Sequence, residues 1–301
     1  MNIFIIYKLF LILLLKNYIT CWKGNFHNKN TKLYNNSENQ CIISSRNNNI
    51  YCDNDAELFI NRNDFLFEKK LITISPGGFK GFYLLGILTY IKENYNMDDF
   101  LYSGASAGAW NGLFMCYKGE PLDFVYKLFD SNIKKAKSIT ELEYFMKYKL
   151  LATYNNDDFD LRRLFIGVTT LKNLYPVTNI FSDFEDLEDA INCCIASSHI
   201  PLITGGITNK YHNMFTFDGG FSKYPYLKNN NLVLHISPSM WHNIIDEKQN
   251  CIKKNINSIK KFTEIFSISK NNLLELFDDG YQDAKKHKKH LDLLFLRTET
   301  S

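Results

Sequence analysis

Twice in succession, a short apolar and β-branched run ends in a turn of small residues and continues as a helix. Leu71-Ile72-Thr73-Ile74 enters Ser75-Pro76-Gly77-Gly78, after which Phe82, Leu85, Leu88, Thr89 and Lys92 recur at the spacing of one helical face. Phe100-Leu101-Tyr102-Ser103 then enters Gly104-Ala105-Ser106-Ala107-Gly108, and Ala107 to Tyr117 reads as the next helix. A β-α-β-α unit of this kind builds a parallel sheet, whose ligands bind beyond the carboxyl ends of the strands. Both glycine turns lie at such ends. Further along, Phe165 to Thr170 reads as a buried strand, and Phe184 to Ser197 as a helix opened by acidic residues. Met214 to Phe217 reads as a strand running into Asp218-Gly219-Gly220, and Leu232 to Ile236 as another. Pro121 to Lys149 has the pattern of one or two amphipathic helices, and two more helices are expected from Ile256 onward.

With 45% hydrophobic residues in a chain of 301, there is enough apolar material for a substantial core. A net charge of +3 and the lack of any RNA- or DNA-binding motif argue against a nucleic-acid partner. The seven cysteines include no C-x-x-C and no Cys/His cluster at zinc spacing, so neither a metal nor a disulfide framework is implied.

The ends of the chain differ from its middle. Ile3 to Leu15 is apolar apart from Lys8, and residues 1–22 read as a hydrophobic leader, either a signal peptide or a membrane anchor. A membrane-associated or secretory-pathway location follows from that reading. Residues 23–64 read as an Asn-rich flexible linker carrying a glycosylation-type triplet, Asn35-Asn36-Ser37, and two cysteines, Cys41 and Cys52, able to bridge in an oxidising compartment. Residues 65–301 then form the folded domain.

Gly104-Ala105-Ser106-Ala107-Gly108 has the form of a nucleophile elbow, in which a strand turns sharply into a helix and exposes a serine hydroxyl. Small neighbours are required there because larger ones would clash. A serine needs a base to take its proton, and two kinds are available. Asp218 stands at a strand end framed by Gly219 and Gly220, whereas His235 or His242 would complete the order Ser, Asp, His of the α/β-hydrolases. Acyl transfer also needs N–H donors for an oxyanion, and Gly77 and Gly78 at a helix start suit that need. A phosphate loop is disfavoured, because neither nucleotide-binding glycine pattern is complete around Gly77-Gly78-Phe79-Lys80-Gly81.

Four blocks in order resemble the patatin-like phospholipase family: Ile74 to Gly81 with Gly86, Gly104 to Gly108, Ser197-Ser198-His199-Ile200-Pro201, and Asp218-Gly219-Gly220. Gly280-Tyr281-Gln282-Asp283-Ala284 resembles a late helix of some members. The resemblance implies a three-layer α/β/α domain with a mostly parallel central sheet, hydrolysing lipid acyl esters with a Ser-Asp dyad and neither metal nor cofactor. It casts Ser106 as nucleophile and Asp218 as general base. Gly77, Gly78, Phe79 and Ala107 would form the oxyanion hole, supported by Lys80, Gly81, Gly104, Gly108, Gly219 and Gly220. The implied partners are a lipid substrate and a membrane surface, which the basic run Lys285 to His290 would suit. Three positions depart from the family pattern: Pro76 replaces the first glycine of the loop, Lys80 replaces the common Arg, and Pro225 comes one residue early. Two other readings stay open, a catalytically silent lipid-binding module and a Ser-His-Asp esterase.

Overall fold

The structure is a computed structural model describing residues 41–44, 50–51, 63–241 with short gaps, and 272–296. The leader, the Asn35 triplet, Cys52 and His242 lie outside the described residues. Two short strands come first, β1 (Cys41–Ser44) and β2 (Ile50–Tyr51). The expected repeat follows: β3 (Lys70–Ile74) passes through a 3-10 turn at Gly78–Lys80 into α1 (Gly81–Asn94), and β4 (Phe100–Gly104) passes into α2 (Ala107–Cys116). The amphipathic stretch becomes two helices, α3 (Pro121–Leu128) and α4 (Ile139–Thr153). Pro121 suits a first helical turn because it has no N–H to leave unpaired. Ser138 caps α4 by accepting from the Glu141 amide at 3.1 Å.

An antiparallel pair comes next, β5 (Leu164–Lys172) and β6 (Tyr175–Phe181), then α5 (Leu187–Ser197), which Asp186 caps by accepting from the Asp189 amide at 2.8 Å. A hairpin of β7 (Asn209–Tyr211) and β8 (Met214–Phe217) leads to β9 (Leu232–Ile236). The chain closes with α6 (Leu273–Lys286) and α7 (Lys288–Phe295). The strands form one mixed sheet in the order β2-β1-β6-β5-β4-β3-β9, with β8 paired to β5 and β7 to β8. Its centre, β5-β4-β3-β9, is parallel. Helices flank it in the α/β/α arrangement that the sequence implied. Continuously apolar strands demand this, since Phe100 to Gly104 is buried at every position and both of its faces must be covered.

α1 is buried on more than the single face its spacing suggested: Leu84, Ile87, Leu88 and Ile91 have no exposed surface. The sheet side is one cover and α6 is the other. The two helices approach closely because each carries a glycine at the contact. A β-carbon on Gly86 would stand 2.0 Å from the Phe277 carbonyl oxygen, and one on Gly280 would stand 1.9 Å from that of Tyr83. Tyr83 adds a hydroxyl bond to Asp283 at 2.6 Å. The late Gly280 block therefore seals the back of the first helix.

Two stretches depart from the sequence reading. β1 and β2 lie inside the segment expected to be a linker; β1, the short run Cys41-Ile42-Ile43-Ser44, joins the sheet by parallel pairing with β6. β6 was not anticipated; it holds Pro176, which a strand tolerates here because the proline stands near its start, opposite Leu171. From Ile256 onward, where two closing helices were expected, residues 256–271 lie outside the described residues and the helices described are α6 and α7. Among the described residues no helix is long and apolar enough to cross a membrane.

Because the α1–α6 contact is backbone against backbone, Gly280→Ala should overpack it. We expect a loss of about 1–3 kcal/mol in urea unfolding, whereas substitution to alanine at exposed Gln282 on the same helix should change stability little.

Candidate active site

Ser106 stands between the end of β4 and the start of α2, with φ 54° and ψ −126°. That left-handed region costs a side-chain-bearing residue about 1–3 kcal/mol, so the surroundings must hold it there. They do so through backbone proximity. A β-carbon on Gly104 would meet the Gly108 carbonyl oxygen at 2.1 Å, and one on Gly108 would meet that of Ile74 at 2.1 Å. The Ser106 amide donates to Ser197 Oγ at 2.8 Å, and the Ser197 hydroxyl donates to the Gly167 carbonyl at 2.7 Å. The elbow is thus fastened to β5 through the last residue of α5.

Asp218 follows β8 and has no exposed surface. The Ser106 hydroxyl donates to Asp218 Oδ2 at 2.6 Å, and the Gly220 amide donates to Oδ1 at 2.6 Å. Its backbone is pinned as well: its amide donates to the His199 carbonyl at 2.7 Å, and its carbonyl accepts from Thr169 Oγ1 at 2.9 Å. Gly219 allows the approach, since a β-carbon there would stand 2.2 Å from the Gly167 carbonyl oxygen. Burial drives the Asp218 carboxyl up to about 7, against the opposing pull of the Ser106 and Gly220 hydrogen bonds.

Ser106, Asp218, Gly78, Phe79 and Ala107 all border one cavity of about 820 Å³, its open mouth included. Among the described residues, no acceptor is found for the amides of Gly78, Phe79 and Ala107. Gly78 has φ 53°, which glycine adopts without strain. Gly77 is buried away from the cavity wall, and its carbonyl closes the turn by accepting from the Lys80 amide at 3.1 Å. Lys80 is exposed at the start of α1, and Gly81 packs against Ala107, so these two support the turn from outside.

The departures at the two prolines are absorbed by packing. A β-carbon on Gly220 would touch the Pro76 ring at 3.1 Å, and one on Gly167 would meet the Pro225 carbonyl oxygen at 1.9 Å. His235 is not brought to Ser106. Its Nδ1 bonds Thr73 Oγ1 at 2.8 Å across β3 and β9, and desolvation pushes the imidazole down to about 4. Among the described residues, no group of three or more His, Cys, Asp or Glu is placed to hold a metal ion.

Sequence reasoning did not foresee the separate tasks of the Ser197-Ser198-His199 block. Ser197 holds the nucleophile's amide, Ser198 accepts from Trp110 Nε1 at 3.2 Å, and His199 supplies the carbonyl beneath Asp218. It also missed Glu143 on α4, a buried carboxyl on the cavity wall. Nothing in the spacing of an amphipathic helix distinguishes that position.

The family model for patatin-like phospholipases matches residues 72–233, more than half of the chain. The chain belongs to the patatin-like phospholipase family. No curated protein matches it in sequence. Among solved structures it is similar to the ExoU-SpcU heterodimeric complex from the type III secretion system of Pseudomonas aeruginosa, at 14% identity and a TM-score of 0.34 over 74% of this chain. It spans about half of that relative's length, 52%. VipD from Legionella pneumophila is similar at 11% identity and a TM-score of 0.35, covering 90% of this chain and 73% of VipD.

The elevated Asp218 carboxyl has a consequence for stability. The folded chain holds that proton up to about pH 7, while the unfolded chain releases it near pH 4. Folding therefore loses stability as pH rises between those values, and the loss persists above them. Asp218→Asn removes the buried charge, so its melting temperature should exceed that of the unsubstituted protein by more at pH 8 than at pH 5. Equal differences at the two pH values would contradict a carboxyl held neutral by burial.

Proposed function

We propose that the protein is a lipid acyl hydrolase in which Ser106 attacks the ester and Asp218 is its general base. The observation that carries this reading is the 2.6 Å bond from the strained Ser106 hydroxyl to a carboxylate sealed from solvent, at the edge of a largely apolar cavity. Asp218 takes the Ser106 proton as Oγ bonds to the carbonyl carbon. The resulting oxyanion faces the amides of Gly78, Phe79 and Ala107, which need no reorganisation to receive it. As the tetrahedral species collapses, the alcohol leaves with the proton from Asp218, and the acyl group stays on Ser106. Water then gives its proton to Asp218 as it attacks the acyl-enzyme, and Asp218 returns that proton to Ser106 Oγ as the acyl–oxygen bond breaks and the fatty acid leaves. Phe82, Leu85, Leu113 and Phe124 line the same cavity and suit an acyl chain.

An imidazole is not required in this scheme, and His235 is engaged by Thr73. The silent-module alternative is less well supported, since both members of the dyad are present and bonded. Residues 1–22 would direct the protein to a membrane or the secretory pathway. Lys285, Lys286 and Lys289 are exposed where α6 meets α7 and would favour an anionic lipid surface.

With a short-chain ester and a phospholipid as substrates, Ser106→Ala and Asp218→Ala should each lower kcat by about 10³-fold or more. His235→Gln should retain turnover, and its loss in a folded variant would restore the triad. Because the base must be ionised, kcat/KM should climb about tenfold per pH unit below 7 and level off above it. In vesicle sedimentation, the full chain should bind anionic phospholipid more tightly than zwitterionic, with the difference shrinking as salt rises. Equal binding to both vesicles would remove the basic face from the account.

A further inference from the structure

One side chain on the cavity wall differs chemically from its neighbours. α4 contributes Ile139, Leu142, Met146 and Leu150 to an apolar surface, and among them Glu143, only 6% exposed. Removing a carboxyl from water in such surroundings is costly unless its hydrogen bonds are replaced. No described cation accompanies it; its polar neighbours are the Ser198 hydroxyl and the charge of Asp218. The Ser198 hydroxyl donates its single proton to the Cys194 carbonyl at 2.9 Å and accepts from Trp110 Nε1 at 3.2 Å. The Ser198 hydroxyl proton is thus already committed to the α5 backbone. Burial, assisted by the Asp218 charge and opposed by the Ser198 contact, pushes the Glu143 carboxyl well above the usual carboxylate range.

A buried carboxyl on the cavity wall has a carbonyl oxygen to offer a donor inside the cavity. Thr204, which also borders the cavity, is committed to its own loop, accepting from the Ile200 amide at 2.8 Å. The cavity beside the dyad therefore presents an acceptor for an uncharged donor. In an acyl ester, that donor is a hydroxyl.

We propose that Glu143 is a specificity-determining residue that accepts a hydrogen bond from a free hydroxyl of the acyl ester, favouring substrates that carry one near the scissile bond. The inference rests on the hydrolase reading of Ser106 and Asp218. Two parts of a lipid can bring the hydroxyl: the glycerol of a monoacyl lipid, or the acyl chain itself. A fully acylated glycerolipid brings neither, and leaves the Glu143 carbonyl facing hydrocarbon.

The test compares kcat/KM for a monoacyl phosphatidylcholine with that for its 2-deoxy analogue, and for a hydroxyacyl ester with its plain-chain counterpart. The unsubstituted protein should favour the hydroxyl-bearing member of one pair by about tenfold or more, and the pair concerned identifies the source. Glu143→Gln, which keeps a carbonyl at that place, should retain much of the preference, whereas Glu143→Leu should bring the ratio towards one. A structural role alone would slow both members of a pair equally and leave the ratio intact, and that result overturns the proposal. So does the absence of any preference in an active protein. Labelling of Ser106 by a fluorophosphonate separates the two levels of the argument. An unlabelled, inactive protein would refute the hydrolase reading and the inference with it, whereas a labelled, active protein without a Glu143-dependent ratio would refute the inference alone.

Discussion

A carboxylate without exposed surface, held by one hydroxyl and one amide, is the interaction on which the rest of the structure depends. Asp218 has Ser106 on one oxygen and Gly220 on the other, and both are neutral donors. A cation in their place would have made ionisation easy and the carboxylate a weak base. Neutral partners in a dry setting keep its proton affinity near that of a neutral-pH base, at about 7. The same dryness makes the pair costly to fold, so the chain must hold it through many backbone contacts that have nothing to do with chemistry.

Those contacts are of one kind: carbonyl groups brought against glycines. Gly108 lies on Ile74, Gly104 on Gly108, Gly219 on Gly167 and Gly167 on Pro225. Together they draw the ends of β3, β4 and β8 against one another and against the interior of β5 at Gly167. Ser197 completes the arrangement by bridging the Ser106 amide to the Gly167 carbonyl. At the opposite side of α1, Gly86 and Gly280 repeat the device and admit α6. The loop that offers the free amides is therefore held from both ends, by the sheet in front and by α6 behind its helix.

Cavity chemistry follows from where α4 is placed. Its inner face contributes aliphatic residues suited to an acyl chain, and it adds Glu143 beside Ser198. Ser198 in turn ties Trp110 of α2 to the end of α5. A helix whose sequence carries no recognisable motif thus contributes the cavity's second carboxyl.

The sequence alone determined the features that are local. A strand, a glycine turn and a helix are specified by neighbours in the chain, so β3, β4, β5, β8, β9, the elbow at Ser106 and the turn at Asp218 were all legible, as was the family. The small residues around Ser106 announced an elbow because only they can sit in it. Contacts between distant segments were decided by tertiary structure. β1, only four residues long, enters the sheet by pairing with β6, more than a hundred residues further along the chain, and β6 accommodates Pro176 because the proline falls near the strand's start. Spacing permits Asp218 or a histidine beside Ser106; the fold gives His235 to Thr73 and brings Asp218 to Ser106, while His242 lies outside the described residues. Glu143 was invisible for the same reason, since a helix position acquires chemical meaning only from what is packed against it.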